Sequence, residues 1–201
     1  DPSIYFTLDA RDNYKKIIKG DKFLVWTTTP WCIPGNLAIA VGKEIEYSRI
    51  SIKNNFYWIA TDRLFEMKDH EIEIVDVSYG KDLIGATYIP AYNEYEHLFK
   101  EGAFRIIHSD DTNTESGSGL VSQAPAYGES DFYALKNANI DVIADPVTLS
   151  GRFDSTFKEL NGLNVKDADK LIMDKLEERE IYSLELVRCI LILFAGELAH
   201  H

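Results

Sequence analysis

Residues 23–41, FLVWTTTPWCIPGNLAIAV, constrain the fold more tightly than any other stretch of the chain. An apolar run over 23–26 leads into three consecutive threonines, Thr27, Thr28 and Thr29, and then into Pro30 and Pro34. Neither proline has an N–H to donate, so a strand ladder that enters this stretch stops there. The expected result is a strand tip that presents hydroxyls and free backbone amides. Composition alone leaves a second reading equally open, a β-branched strand end that simply turns.

The rest of the chain, taken in order, is a series of short strand signals with turn residues between them. Residues 3–8 predict a strand, and 9–21, charged and containing Gly20, a loop or short helix. Residues 36–41 are apolar and 45–52 alternate, with Gly42-Lys43 as the turn between them. Asn54-Asn55 marks another turn, followed by an aromatic strand over 56–60. A short helix is expected over 61–69 with Thr61 as its N-cap. Residues 71–79 alternate again, with Ile72, Ile74 and Val77 near one face and a break at Asp76. A loop is expected over 91–102, a strand over 104–109, and a short strand over 119–126 that Pro125 stops. Ser130 or Glu129 opens a helix over 131–139. Residues 140–144 predict a strand and 146–153 a turn-rich loop. The clearest helix spans 165–179, where Ala168, Leu171, Ile172 and Leu176 recur at helical spacing. Many short strands, few short helices and no regular β-α alternation argue against a doubly wound sheet. They predict a mainly β (α+β) chain, a β-barrel or sandwich with short peripheral helices.

A length of 201 residues suits one domain with a real core. The formal net charge of -12 would repel a phosphate backbone unless a local patch overrides it. If RNA is the partner, most of the grip comes from elsewhere. The two cysteines, Cys32 and Cys189, make neither a disulfide framework nor a metal signature, which fits a reducing, cytoplasmic setting. The first residues show no signal-peptide pattern and read as a cut into a longer chain. The apolar run over 189–195 is far short of a membrane span, so no membrane partner is expected. His70, His97 and His108 are scattered without ligand spacing, and no metal or other cofactor is expected.

Val25-Trp26-Thr27-Thr28-Thr29-Pro30-Trp31, followed by Pro34-x-Asn36-x-Ala38, closely resembles the editing domain inserted in isoleucyl-tRNA synthetases. Relatives of that domain sit in the valyl and leucyl enzymes, which usually resemble TTRP at this point; Thr29 and Trp31 favour the isoleucyl branch. Residues 80–90 (GKDLIGATYIP) carry the family's Leu-x-Gly-x-x-Tyr-x-Pro pattern, with Leu83 one residue further from the glycine than usual. They read as a turn and short edge strand with a structural role. Residues 117–132 (GSGLVSQAPAYGESDF) resemble the family's other signature, and Gln123-Ala124-Pro125 looks more like its eukaryotic cytosolic members. A third region, Leu160-x-Gly162-x-x-Val165-x-x-Ala168-Asp169, also fits. The resemblance spans about residues 1–183. Residues 184–201 do not continue it and are expected to be a tail, either with the remains of a purification tag in His200-His201 or as a natural terminal helix.

The resemblance implies a β-barrel editing domain that removes wrong amino acids from tRNA. Asp131 matches the aspartate that holds the α-amino group of the aminoacyl ester. An ammonium needs such a fixed carboxylate, and the charge-assisted bond orients the ester carbonyl. Read without the family, Asp131 is a first-turn helix residue whose charge suits the dipole. Thr27, Thr28 and Thr29 would supply donors and acceptors that position water and meet the developing oxyanion. Trp31 and Asn36 would shape the wall and fix the loop, with plain packing as the other reading of each. Ala124 also lines the expected site. Two positions depart from the family. Ser122 stands where histidine usually lines the amino-acid side-chain pocket; it is smaller and does not titrate near neutral pH. Cys32 stands where threonine is common and is a poorer hydrogen-bond donor.

Isoleucine and valine differ by one methylene, worth about 1–3 kcal/mol in a hydrophobic pocket, a figure established for isoleucyl enzymes and not obtained from this chain. A second site that admits valine and hydrolyses its ester answers that limit. The expected activity is post-transfer hydrolysis of Val-tRNA(Ile), on a tRNA 3′ end held mainly by the rest of a parent synthetase, with the isolated domain monomeric. No His-x-Gly-His and no Lys-Met-Ser-Lys-Ser is present, so no adenylate chemistry is expected from these residues. Two other readings stand beside this one. The first is a catalytically degenerate module of the same fold that binds the tRNA 3′ end or the aminoacyl group. The second is a cysteine hydrolase using Cys32 and a histidine.

Overall fold

Among the described residues eight strands form, close to the segments that predict them. They are β1 (Ile4–Asp9), β2 (Lys22–Thr27), β3 (Ala38–Val41), β4 (Glu46–Ile52), β5 (Asn55–Ala60), β6 (Glu73–Tyr79), β7 (Arg105–His108) and β8 (Val121–Gln123). Two α-helices follow, α1 (Glu129–Asn137) and α2 (Val165–Glu178). The computed structural model describes residues 4–64 and 72–182. The expected tail over 184–201, Cys189, His70 and most of the helix expected over 61–69 lie outside the described residues.

β2 organises the sheet. Along one edge it pairs antiparallel with β1, from Ile4↔Thr27 to Asp9↔Lys22. Its first half also pairs in parallel with β5, and its end, at Trp26, in parallel with Val121 of β8. β8 then pairs antiparallel with β3, and β3 in parallel with β7. Residues 80–90 complete the circuit. Thr87 bridges Arg105 beside β7, and Tyr88 bridges Ala10 just past β1. Ile106 N–H donates to Ala86 O at 2.9 Å, and Ile89 N–H to Asp9 O at 2.9 Å. Leu83, Ala86 and Tyr88 of this stave are buried to 1% exposure or less. The Leu-x-Gly-x-x-Tyr-x-Pro segment is thus structural: two short bridges close the barrel, and closure removes an open edge.

β5, β4 and β6 extend outward from β2 as a wing. The β4–β5 hairpin turns through Lys53 and Asn54, both at positive φ (47° and 68°), a two-residue loop that matches strand twist. Asn55 already belongs to the strand. In β6 the register against β4 slips between Asp76 and Ile74, leaving Val75 as the extra residue. That bulge, one residue before the expected break, brings Ile74 and Val77 to one face. Glycines at the β8 approach are conformationally required: Gly117 and Gly119 sit at φ 71° and 80°, and a Cβ on Gly117 would come within 2.6 Å of the Trp26 ring.

Three expectations are corrected. Residues 140–144 form no strand; Ile140 N–H instead caps α1 on Leu135 O, and Ile140 and Ala144 pack inward with no strand alongside. Thr61 is not a cap: its hydroxyl pairs with Ser48 Oγ at 2.6 Å while Ala60 precedes a single 3₁₀ turn, Thr61–Arg63. The 91–102 segment carries a 3₁₀ helix, Glu96–Glu101, closed by Gly102 at φ 103°. α2 is as expected, with Asn164 accepting from Lys166 N–H and Ala168, Ile172 and Leu176 buried. It packs against the 3₁₀ turn Pro30–Gly35. Beyond α2, Ile181 O accepts from Thr7 N–H of β1 at 2.7 Å.

Candidate functional site at the barrel mouth

The site forms where β2 and β8 end side by side. Trp26 pairs with Val121, so the next residues along, Thr27 and Ser122, share the opposite face of the sheet. Along β2 that face is the buried one, with Phe23, Val25 and Thr27 buried while Lys22 and Trp26 on the other face are half-buried, so it is the barrel interior. Thr27 is buried, Thr29 half-buried and Thr28 exposed at the rim. Thr27 Oγ1 accepts the Thr29 N–H at 3.2 Å and bends the chain out of the ladder. Cys32 N–H donates to Thr29 O, and Trp31 N–H to Asp169 Oδ1 of α2 at 2.8 Å. The expected row of free amides therefore narrows: unlike those of Thr29, Trp31 and Cys32, the Thr28 N–H has no backbone or side-chain acceptor among the described residues.

Asp131 is the third residue of α1, and the first-turn placement expected of it holds. Its Oδ2 also accepts Ala124 N–H at 2.9 Å, while Oδ1 accepts no hydrogen bond among the described residues. Burial pushes its carboxyl above the ordinary 3.8; the Ala124 N–H opposes that, and the negative charge of Asp111 adds to it. Cys32 connects this helix to the strand tip. Burial pushes its thiol up to about 11, a hydrogen bond with Thr29 pulls the other way, and Asp131 and Asp169 raise it further. The strand tip and both carboxylates thus act on one side chain. A thiol so protonated, with no histidine among the described groups acting on it, offers no thiolate for a cysteine hydrolase.

Deeper in, Asn36 Nδ2 donates to Ala38 O and to Ser122 Oγ, both at 2.9 Å, and the Tyr88 hydroxyl donates to Asn36 Oδ1 at 2.5 Å. Asn36 therefore fixes the loop and Ser122 together. Trp31 sits on the outer side, its ring 4.9 Å from that of Tyr127 in an edge contact. Gly35 lets Tyr127 approach; a Cβ there would meet its ring at 2.9 Å. Of the nine predicted residues, Thr27, Thr29, Cys32, Ala124 and Asp131 come together at the mouth, Asn36 and Ser122 lie below, Trp31 flanks, and Thr28 is at the rim.

Two roomy cavities lie elsewhere, one of 830 Å³ between β1 and the end of α2 and one of 630 Å³ between α1 and β7; neither includes any of the nine. Among the described residues no group of three His, Cys, Asp or Glu side chains converges as a metal site, and no helix is long and apolar enough to cross a membrane. Asp169 and Tyr88 were missed as supports. Both belong to family-like patterns in the sequence, but their partners, Trp31 and Asn36, are 138 and 52 residues away.

No family model matches the chain. Curated relatives do. An isoleucine–tRNA ligase of Bdellovibrio bacteriovorus is 40% identical over 78% of this chain, one of Protochlamydia amoebophila 38% over 89%, and the cytoplasmic isoleucine–tRNA ligase of Saccharomyces cerevisiae 37% over 84%. The chain spans only 15–18% of the length of these relatives. Bacterial and yeast identities are alike, so they do not select the eukaryotic cytosolic branch. Among solved structures, GlLeuRS-CP1 superposes with a TM-score of 0.65 at 14% identity, covering 90% of this chain and 99% of that one. The editing domain of the Plasmodium knowlesi cytosolic leucyl-tRNA synthetase gives 0.62 at 9% identity, covering 90% and 96%. The chain therefore belongs, by sequence, with a segment of the isoleucine–tRNA ligases, and its fold is that of a synthetase editing domain.

Proposed function

We propose that this mouth hydrolyses the aminoacyl ester of mischarged Val-tRNA(Ile), as the post-transfer editing site of an isoleucine–tRNA ligase. The observation that carries the reading is the Asp131 carboxylate, anchored through one oxygen by Ala124 N–H and with the other unbonded among the described residues. Such a group receives an ammonium without rearranging, and a hydrogen bond to a charged group is worth about 1.5–3 kcal/mol. With the α-amino group on Asp131, the ester carbonyl lies toward the strand tip. There the Thr28 N–H and hydroxyl donate to the oxygen that becomes negative as water adds to the carbonyl carbon. Thr27 and Thr29, already linked, hold the tip in shape and orient the water. The ester is activated, so positioning supplies most of what is needed. The bond between carbonyl carbon and ribose oxygen then breaks, releasing valine and tRNA.

The -12 charge assigns the main grip on tRNA to other parts of a parent synthetase, with this unit taking the 3′ end. A cytoplasmic setting follows the yeast relative's name, and a monomer is expected for the unit alone. Deacylation of Val-tRNA(Ile) tests the reading, with the 201-residue chain and with the same residues grafted into a full-length isoleucine–tRNA ligase. Loss of valine well above buffer is expected in the graft. The competing reading, a degenerate binding module, is favoured by the protonated Cys32 thiol and by Ser122, which has no base beside it. It predicts that mischarged tRNA does not accumulate when Asp131→Ala is placed in the full-length enzyme.

A further inference from the structure

We infer that Ser122 reads the side chain of the ester, so that the site removes threonine from tRNA in preference to its isostere valine; this rests on the editing reading above. The inference comes from a chain of three hydrogen bonds whose directions are fixed. Ala38 O only accepts, so the Asn36 amide must turn Nδ2 toward it. The same nitrogen donates its second hydrogen to Ser122 Oγ. Asn36 Oδ1 is then left for Tyr88, whose hydroxyl must donate. Tyr88 is fully buried, and burial pushes its phenol well above the ordinary 10.0, so it keeps that proton. Asn36 is 7% exposed and cannot swing to another partner.

The relay ends at a half-buried serine whose oxygen accepts from below and whose O–H donates to no described residue. Ser122 shares the inner face with Thr27. A substrate with its ammonium on Asp131 and its carbonyl at the Thr28 tip turns its side chain toward that face. A hydroxyl on the β-carbon accepts the Ser122 proton. A methyl in the same place leaves the donor unpaired, and a site built to hydrogen-bond a substrate hydroxyl discriminates far more strongly than an apolar one.

The test is the ratio of kcat/KM for tRNA(Ile) charged chemically with threonine and with valine, using the chain grafted into a full-length isoleucine–tRNA ligase. The threonyl ester is expected to be cleaved about tenfold faster or more, and Ser122→Ala to bring the two within about twofold. Ser122→Cys, which keeps the size and donates weakly, should fall between them; a thermal melt of each variant shows whether it is folded. Equal rates in the unaltered protein, or a preference that survives Ser122→Ala, overturn the inference while valine release leaves the editing reading standing. Release of neither amino acid overturns both.

Discussion

Two carboxylates in this molecule do opposite things. Asp21, at the entry to β2, is 3% exposed and receives four donors: Arg49 Nε and Nη2 at 2.8 Å each, Trp58 Nε1 at 3.0 Å and Ile18 N–H at 2.9 Å. An ionised carboxylate offers about four lone-pair sites, and with three donors on Oδ2 and one on Oδ1 both oxygens of Asp21 are engaged. Its guanidinium partner, on β4, is in turn stacked 3.9 Å over the Phe56 ring of β5, so the bonds from Arg49 to Asp21 tie the β4–β5–β6 wing to the start of β2. Asp131 is only half-buried and receives one donor. A saturated carboxylate fastens structure; an unsaturated one, fixed in place, keeps the capacity that the proposed function assigns to an ammonium receptor.

The contrast breaks most readily at Asp21. Asp21→Ala leaves a nearly buried guanidinium and an indole N–H without their acceptor and is expected to cost about 3–5 kcal/mol in urea unfolding. A loss below that caused by any change at Asp131 would undo the distinction. Asp131→Asn sharpens it from the other side. The amide still accepts from Ala124, so stability should stay within about 1 kcal/mol, while deacylation efficiency falls about tenfold to a hundredfold. A third check is pH. Asp131 is raised above 3.8 in the fold, so it loses its charge, and the site its ammonium receptor, at a pH higher than an ordinary aspartate would. The acid limb of kcat/KM should lie above 3.8 and vanish in Asp131→Asn. The sign for stability is the reverse of the usual carboxylate: the folded state holds this proton more tightly than the unfolded chain, so the contribution declines as pH rises through that window. The smallest effect is expected at Asp169→Ala, which releases Trp31 N–H; about 1 kcal/mol of stability and a few-fold in turnover should go, and Asp169→Asn should restore both.

The strands were legible because each is a short alternating or apolar run bounded by turn residues, as at Gly42-Lys43 and Asn54. Barrel closure was not, because it rests on two single bridges, at Thr87 and Tyr88, too short to carry a period. Residues 140–144 have the composition of a strand but no partner strand among the described residues, and composition does not report neighbours. Motif order singled out Thr27, Asp131 and Asn36, which the fold brings to one end of the barrel. It did not locate what holds them. Asp169 supports Trp31 from α2, across a separation that no local pattern spans. Nor did sequence distinguish the amides at the threonine tip, since which ones are spent depends on Thr27 Oγ1 and on Asp169.

The bond from Thr7 N–H to Ile181 O has a mechanical consequence. Strand β1 and the segment after α2 are clasped to each other, so chain arriving before the one and leaving after the other does so at a common point. Units joined this way can be carried by a host without prising its flanks apart. The threonine tip lies close to that point, because Thr27 pairs with Ile4 where the chain enters β1, so tension drawn through the flanks would reach the tip as well as the clasp.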